Sequence, residues 1–543
     1  MRKTIIIIAA LTSLLAVSCT GKLFLDSETS VTNEYLLSSV DGLQREVVGL
    51  YAYERDNFAG VKDSDSAIPY LPVMLDYSTD ILLFRAGNGA DVARMNTMTS
   101  TSGTVAAFWK VMYGIIGKAN EIIAAGKELG MDDEEVRYAV AEARLFRAKS
   151  YFLLWQRFGR LYLNTEPTTV KNLERTYAPS STEAVLGLVK EDLDYAASVL
   201  GWTVPRLSDK DMHGRFTRAV ALHLRAQVAM WEKDWDTAIE KCEEIFTEGS
   251  AWYGMEAKMS DVFLSGNGEL RGKEVLYAYQ FSTNPGGGNE VSSTGKMSGH
   301  VLHINTTAEY RSIAGCVCEA AQGGYGFGRM FPNSYLLGLY DKAKDNRYSE
   351  MFKHSYYYND PDDSKFGQVI PRNTKMYERY LHPMSLKHAD FWTNQDLPTR
   401  QSSFKDLIVY RLAETALMCS EAYFRRDGGS SKEALDYFNK TWERAGNAHF
   451  NGPLTQDILL DEYARELNFE GVRWPLLKRL GLLGERCKLH GGDTRADDPE
   501  LTADYAHCRT YFEIGKHENW PIPANQILLM GGEEAFPQNP GWN

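Results

Sequence analysis

Two alanine pairs set at one spacing constrain the fold of this chain more than any other feature. Ala226 and Ala238 lie twelve residues apart across a short break at Lys233-Asp234. Ala422 and Ala434 repeat that interval around Asp427-Gly428-Gly429, with Phe438 four residues further on. A small residue at the crossing lets two antiparallel helices approach closely, so each pair predicts a helical hairpin. Other antiparallel helix pairs with small contact residues would show the same pattern. The preceding sequence has the helical period as well, and predicted helices cover 32–55, 105–128, 133–158 and 181–200. In the second, Ile115, Ile116, Ala119, Ile122 and Ile123 fall on one stripe. The third opens on a cluster of acids that suits the positive end of the helix dipole. Ser181 or Thr182 would cap the fourth.

Between about 252 and 400 that period disappears. Glycine and proline become frequent, as in Asn284-Pro285-Gly286-Gly287-Gly288 and Gly323-Gly324-Tyr325-Gly326-Phe327-Gly328. Aromatic residues cluster at Tyr356-Tyr357-Tyr358 and Phe391-Trp392. So much irregular chain inside a helical protein usually serves binding. Helix is predicted to return from Asp406 and to run on through 454–480. The predicted fold is mainly α, a tetratricopeptide-like helical scaffold with a large irregular loop-rich insert. Its parts are a helical segment 19–251, an insert 252–405 that is the candidate ligand surface, and a helical segment and tail 406–543.

The formal net charge is -13 and no Lys/Arg cluster stands out, which argues against nucleic acid as a partner. His-Glu-x-x-His, a phosphate loop, dinucleotide glycine spacing and a Gly-x-Ser-x-Gly elbow are all missing, so the sequence asks for no cofactor. Asp360, Asp362 and Asp363 read as a solvated turn, with a calcium site as the other reading. Of the seven cysteines, Cys242 and Cys419 fall in helical patterns and read as small buried residues. Cys316 and Cys318 are badly spaced for pairing with each other. Cys487 and Cys508 flank a Gly- and Asp-rich loop and would be able to bridge in an oxidising compartment.

The chain opens Met1-Arg2-Lys3, runs through an apolar stretch at 5–17 and closes with Ser18-Cys19. These are the parts of a signal peptide spanning 1–18. The apolar run is too short to cross a ~30 Å hydrocarbon core, which takes about 20 helical residues. Ala16-Val17-Ser18-Cys19 resembles a bacterial lipoprotein box, with Ala16 where that box usually has Leu. The resemblance implies a lipid on Cys19, each buried methylene contributing roughly 0.8 kcal/mol to membrane attachment.

Four further segments bear on function. The first is Gly323-Gly324-Tyr325-Gly326 with Pro332, Tyr340-Asp341 and Asp345-Asn346-Arg347. The second is Tyr410-Arg411-Leu412-Ala413-Glu414, leading into Met418-Cys419-Ser420-Glu421-Ala422-Tyr423. The third is Arg465-Glu466-Leu467-Asn468-Phe469-Glu470-Gly471-Val472-Arg473-Trp474, then Leu477-Lys478-Arg479-Leu480-Gly481. The last is Trp520-Pro521-Ile522-Pro523, closing on Gln538-Asn539-Pro540-Gly541-Trp542. In this order, with Phe24-Leu25-Asp26 after Cys19, they resemble the SusD/RagB family, lipoprotein partners of outer-membrane nutrient transporters. The resemblance implies a non-catalytic, surface-exposed lipoprotein of the cell outer membrane. Such a protein binds glycans or oligosaccharides and delivers them to a TonB-dependent SusC-like transporter. The alternatives are a peptide-binding member of the same uptake system, a secreted helical glycoside hydrolase, and a scaffold without a ligand.

Two departures and one charge pattern carry expectations. Pro475-Leu476 stands where the family often has an aromatic residue and an aspartate, and proline there is expected to kink or stop the helix. Thr20-Gly21-Lys22 lacks the acids that often follow the lipidated cysteine. Glu466, Glu470 and Arg473 lie three or four residues apart, so one helical face would let Arg473 neutralise Glu470. The pattern reads as a structural ion pair before a catalytic one.

Sugar recognition needs flat aromatic faces and planar polar groups. Tyr325 occupies the position where relatives often carry a glycan-stacking Trp, and its glycine neighbours would let a ligand approach the backbone. Trp392 and Tyr356 are further candidates from the irregular region. Tyr77, Arg85 and Asn88 come from an early loop from which relatives draw binding residues; Arg and Asn suit vicinal hydroxyls.

Overall fold

The computed structural model describes residues 33–58, 76–85, 89–169, 177–205, 213–263, 272–282, 299–371, 377–391, 403–492 and 507–542. Six long helices fill the first part: α1 (Val40–Phe58), α2 (Gly103–Leu129), α3 (Glu134–Phe158), α4 (Thr182–Val199), α5 (Arg218–Glu232) and α6 (Trp235–Thr247). Their ends follow from local chemistry. The Asp133 carboxylate accepts from the backbone N–H groups of Glu135 and Val136, and the Ser181 hydroxyl accepts from that of Ala184. Each cap satisfies a donor that the first turn of a helix leaves orphaned. Between α5 and α6, Lys233 takes a left-handed conformation (φ 60°) and Asp234 caps the next helix through Thr237.

Helix α3 is the central pillar. Its stripe widens until nearly the whole circumference is buried, with α2 on one side and α4 on another. The charged residues it buries are each held by an opposite charge or a ring. Arg147 forks onto Asp192 at 2.7 and 2.8 Å, Lys149 reaches Glu54 at 2.6 Å, and Glu142 accepts Arg215. Arg157 lies 3.5 Å over the Trp474 ring.

The alanine pairs meet as the spacing predicts. Helices α7 (Leu412–Asp427) and α8 (Lys432–Trp442) form the second hairpin, and α6 packs on α7. Ala226, Ala238, Ala422 and Ala434 are fully buried in one cluster with Cys242, Cys419 and Phe438. The fold is mainly α, as expected, and the two tetratricopeptide-like hairpins, one from mid-chain and one from the C-terminal part, share a core.

Strand is confined to short antiparallel pairs. β1 (Leu82–Phe84) pairs with β3 (Met330–Pro332), and β2 (Val275–Tyr279) pairs with β4 (Leu407–Arg411). Residues 407–411 therefore correct the expectation of helix from Asp406. A short apolar run of this kind fits strand and helix equally, and pairing with β2 decides it. The irregular region carries a small core of its own, in which Tyr310, Tyr356, Ile370, Leu381 and Met384 pack together.

After α9 (Gln456–Leu467) the chain turns at Phe469, which adopts φ 62°, and restarts as α10 (Arg473–Arg479). Pro475 sits in the first turn of α10, where its missing N–H leaves no bond unmade, so the helix runs on through it. The tail folds back onto α3. Trp520 packs edge-on to Phe108 and Phe158, and the Asn539 amide donates to the Phe158 and Trp520 carbonyls at 2.7 and 2.8 Å. Cys487 and Cys508 are joined as a disulfide.

Candidate functional site

The glycine-rich segment forms a ledge on the irregular region. Gly324, Gly326 and Gly328 are buried, whereas Tyr325, Phe327 and Arg329 between them are half-buried on the opposite side. The alternation has a period of two and leads into β3, with Gly324 and Gly328 at φ 71° and 54°. Glycine is required on the inner side. A Cβ at Gly326 would meet the Thr307 and Ala308 carbonyls at 2.5 Å, and one at Gly328 the Arg379 carbonyl at 2.0 Å. Backbone bonds from Phe327, Gly328 and Arg329 to the carbonyls of Ile304, Thr307 and Asn305 tie the ledge to the chain beneath.

The outer side carries rings and guanidinium groups in alternation. Tyr325 and Phe327 meet edge to face at 5.3 Å between centroids. The Arg311 guanidinium lies 3.8 Å over the Tyr325 ring, and that of Arg329 lies 4.4 Å over Phe327. Arg329 also donates to the Asn305 amide oxygen at 3.1 Å. Glu309 accepts from Arg379 at 2.5 Å and stands 3.7 Å from Arg311.

The early loop closes against the same feature. Arg85 donates through Nε and Nη2 to the carbonyls of Gly328 and Phe327, at 2.8 and 2.7 Å. It braces the ledge from the end of β1. Tyr77 and Tyr356 are both buried. Tyr77 is 5 % exposed with its ring against Phe84, and Tyr356 is 2 % exposed with its hydroxyl on the His382 carbonyl. Trp392, Asn88 and Cys19 lie outside the described residues. The structure thus brings Tyr325 and Arg85 together. Phe327, Arg329 and Arg311 complete the surface, and the Tyr325-Phe327-Arg329 alternation was a signal available in the sequence.

The conspicuous carboxylates do something else. Glu466 accepts from Arg347 and Arg411, each at 2.8 Å, and from Arg444. Arg411 forks onto Glu470 at 2.6 and 2.8 Å, Lys387 reaches it at 2.5 Å, and Arg444 and Arg411 both meet Glu274. Arg347 also binds Asp345 and Glu462, and Arg465 completes Glu462. Five cations (Arg347, Lys387, Arg411, Arg444, Arg465) thereby face five carboxylates (Glu274, Asp345, Glu462, Glu466, Glu470), all withdrawn from water. Burial alone would raise the Glu466 and Glu470 carboxyls, but the cations around them hold both well below the usual carboxylate range. The expected partner of Glu470 is corrected: Arg473 pairs instead with Asp80 at 2.7 Å, because the turn at Phe469 breaks the helical face.

A cavity of about 80 Å³ between α5, β4 and α10, lined by Gln227, Trp231, Glu414 and Arg479, is too small for an oligosaccharide, since ligand pockets run to roughly 300 Å³ or more. Among the described residues no His/Cys/Asp/Glu group is arranged to hold a metal ion.

The buried network draws most of its members from three separated stretches that the sequence singled out, around Arg347, Arg411 and Glu466, and a family model matches over that same span. The model, described as the SusD family, matches residues 232–542. The chain belongs to the SusD family. SusD-like protein P2 of Formosa agariphila is 26% identical over 469 residues, 82% of each chain. A SusD homolog from Bacteroides thetaiotaomicron superposes with a TM-score of 0.73 at 21% identity, covering 95% of this chain and 100% of that one. Surface glycan-binding protein A from Bacteroides thetaiotaomicron in complex with laminarihexaose superposes at 0.69 with 19% identity, covering 92% and 98%. SusD membership and fold agree, and the motifs around Arg347, Arg411 and Glu466 serve the buried charge network.

Proposed function

We propose that this SusD-family chain is a non-catalytic, lipid-anchored outer-membrane protein that binds glycans at the cell surface and passes them to a TonB-dependent SusC-like transporter. The ledge carries the reading: rings and planar donors set rigidly side by side are the groups that sugars require. A relative of the same fold binds laminarihexaose. A short apolar leader ending at Cys19 supports a lipid tether, and among the described residues no helix is long and apolar enough to cross a membrane.

The carboxylates conspicuous in the sequence support a non-catalytic role. A glycosidase needs an accessible carboxyl whose pKa is raised enough to donate a proton. Glu466 and Glu470 are enclosed and pushed the other way. Burial pushes Asp76 up to about 7, but Asp76 is fully enclosed and accepts the Gly471 and Arg473 backbone N–H groups.

Titration calorimetry of the unlipidated protein against a panel of oligosaccharides and short peptides tests the reading. Binding of a sugar, lost in Tyr325→Ala, is the expected result. Silence from every sugar with a clear peptide signal would replace glycan by peptide, and release of reducing ends would make the protein an enzyme.

A further inference from the structure

The ledge is cationic in a chain whose net charge is -13. Arg311 and Arg329 stack on Tyr325 and Phe327, and Glu309 is the carboxylate that Arg311 shares with Arg379. Arg329 has no carboxylate within ion-pair distance among the described residues; its partners are the Asn305 amide and the Phe327 ring. Glu319, the next acid along, has Lys353 in electrostatic reach. On the ledge itself three guanidinium groups, those of Arg311, Arg329 and Arg379, meet one paired carboxylate, Glu309, while Asp360 and Asp363 lie by Cys316 on the neighbouring loop.

The stacking geometry gives that surplus a direction. A neutral sugar stacks its apolar side on an open ring, but here guanidinium planes already lie over Tyr325 and Phe327. A guanidinium stacked on a ring keeps its N–H edge outward, fixed in plane and ready to fork onto an oxyanion. Arg311 donates through Nη2 to the Gly326 carbonyl at 3.4 Å, which fixes its plane, and its buried Nε has no hydrogen-bond partner. Arg311 and Arg329 flank the edge-to-face pair of rings, so an anionic group and the sugar that bears it would be met by adjoining parts of one surface.

We propose that the ledge selects acidic glycans, with Arg311 and Arg329 gripping a carboxylate or sulfate ester on the sugar. The proposal rests on the reading of the protein as a glycan receptor and narrows its substrate class.

The test is calorimetric titration of the purified protein with three hexasaccharides: a neutral glucan, an oligogalacturonate and a heparin fragment. A hexaglutamate peptide serves as the fourth probe. The expected result is at least ~10-fold tighter binding of one acidic sugar than of the neutral one, a gap of one decade in Kd. That gap should close between about 0.01 and about 1 M salt, as the screening length falls from roughly 30 to 3 Å. The oligogalacturonate and heparin arms tell carboxylate from sulfate. Arg329→Gln and Arg311→Gln should each remove most of the preference, and Arg329→Lys should restore part of it, with circular dichroism confirming the fold of each. Equal or tighter binding of the neutral sugar, or a preference untouched by either Gln variant, overturns the proposal and leaves the glycan receptor standing. Binding of the peptide with no response from any sugar overturns both.

Discussion

Tyr325 and Gly328 face opposite ways in one short run, and their replacements should fail in different ways. Tyr325→Ala removes a half-buried ring whose stacking partners among the described residues are Arg311 and Phe327, so the melting temperature should hold while ligand affinity falls. Gly328→Ala puts a Cβ 2.0 Å from the Arg379 carbonyl at a residue with φ 54°. The ledge must then shift, and both stability and binding should drop; thermal denaturation beside calorimetry separates the two cases. Arg473 is a third residue-scale case. It and Asp80 are 1% and 0% exposed, so Arg473→Leu strands a buried carboxylate whose remaining cation is Arg486 at 3.2 Å. Breaking such a pair costs about 3–5 kcal/mol, readable as a lower urea midpoint.

The alanine hairpins show what is legible at the scale of elements. Small residues at matched spacing, capped breaks and a helical stripe are all local signals, and the helices they announce are there. Ala422→Leu should push α7 off the first hairpin, destabilising the protein by about 1–3 kcal/mol in denaturant titration. What the sequence hid was long-range. Arg473 and Asp80 are 393 positions apart, and nothing local says that Glu470 turns toward Arg411 once Phe469 ends the helix. Residues 407–411 are the same lesson, since only the distant strand β2 makes them a strand. The ledge lies between these extremes. Its period-two alternation can be read from the chain, but the stacking of Arg311 on Tyr325 depends on a loop brought back by tertiary packing.

For the whole molecule, the charge network is the keystone between the helical frame and the irregular region. Arg347 comes from that region, Arg411 ends β4, and Glu466 belongs to α9, so removing one charge should loosen all three. Glu466→Gln leaves Arg347, Arg411 and Arg444 short of a buried counter-charge and should cost about 3–5 kcal/mol. The carboxyls held below their ordinary values contribute to stability with a definite pH sign, opposite to that of Asp76, which burial pushes up to about 7. Glu466, Glu470, Glu421 and Asp80 all titrate below their ordinary values of 4.5 or 3.8 in the folded protein, because facing arginines more than reverse the effect of burial. The unfolded chain therefore takes up protons first as acid is added. The stabilisation is complete above about pH 4.5 and is lost as the pH falls below it, which urea midpoints at several pH values would trace.

Hydrogen–deuterium exchange of the unlipidated protein, with and without a saturating oligosaccharide found by calorimetry, tests the account most directly. Exchange should slow around residues 304–330, with the alanine hairpins unchanged. Protection elsewhere in the chain, with the amides of Tyr325, Phe327 and Arg329 unaffected, would contradict it.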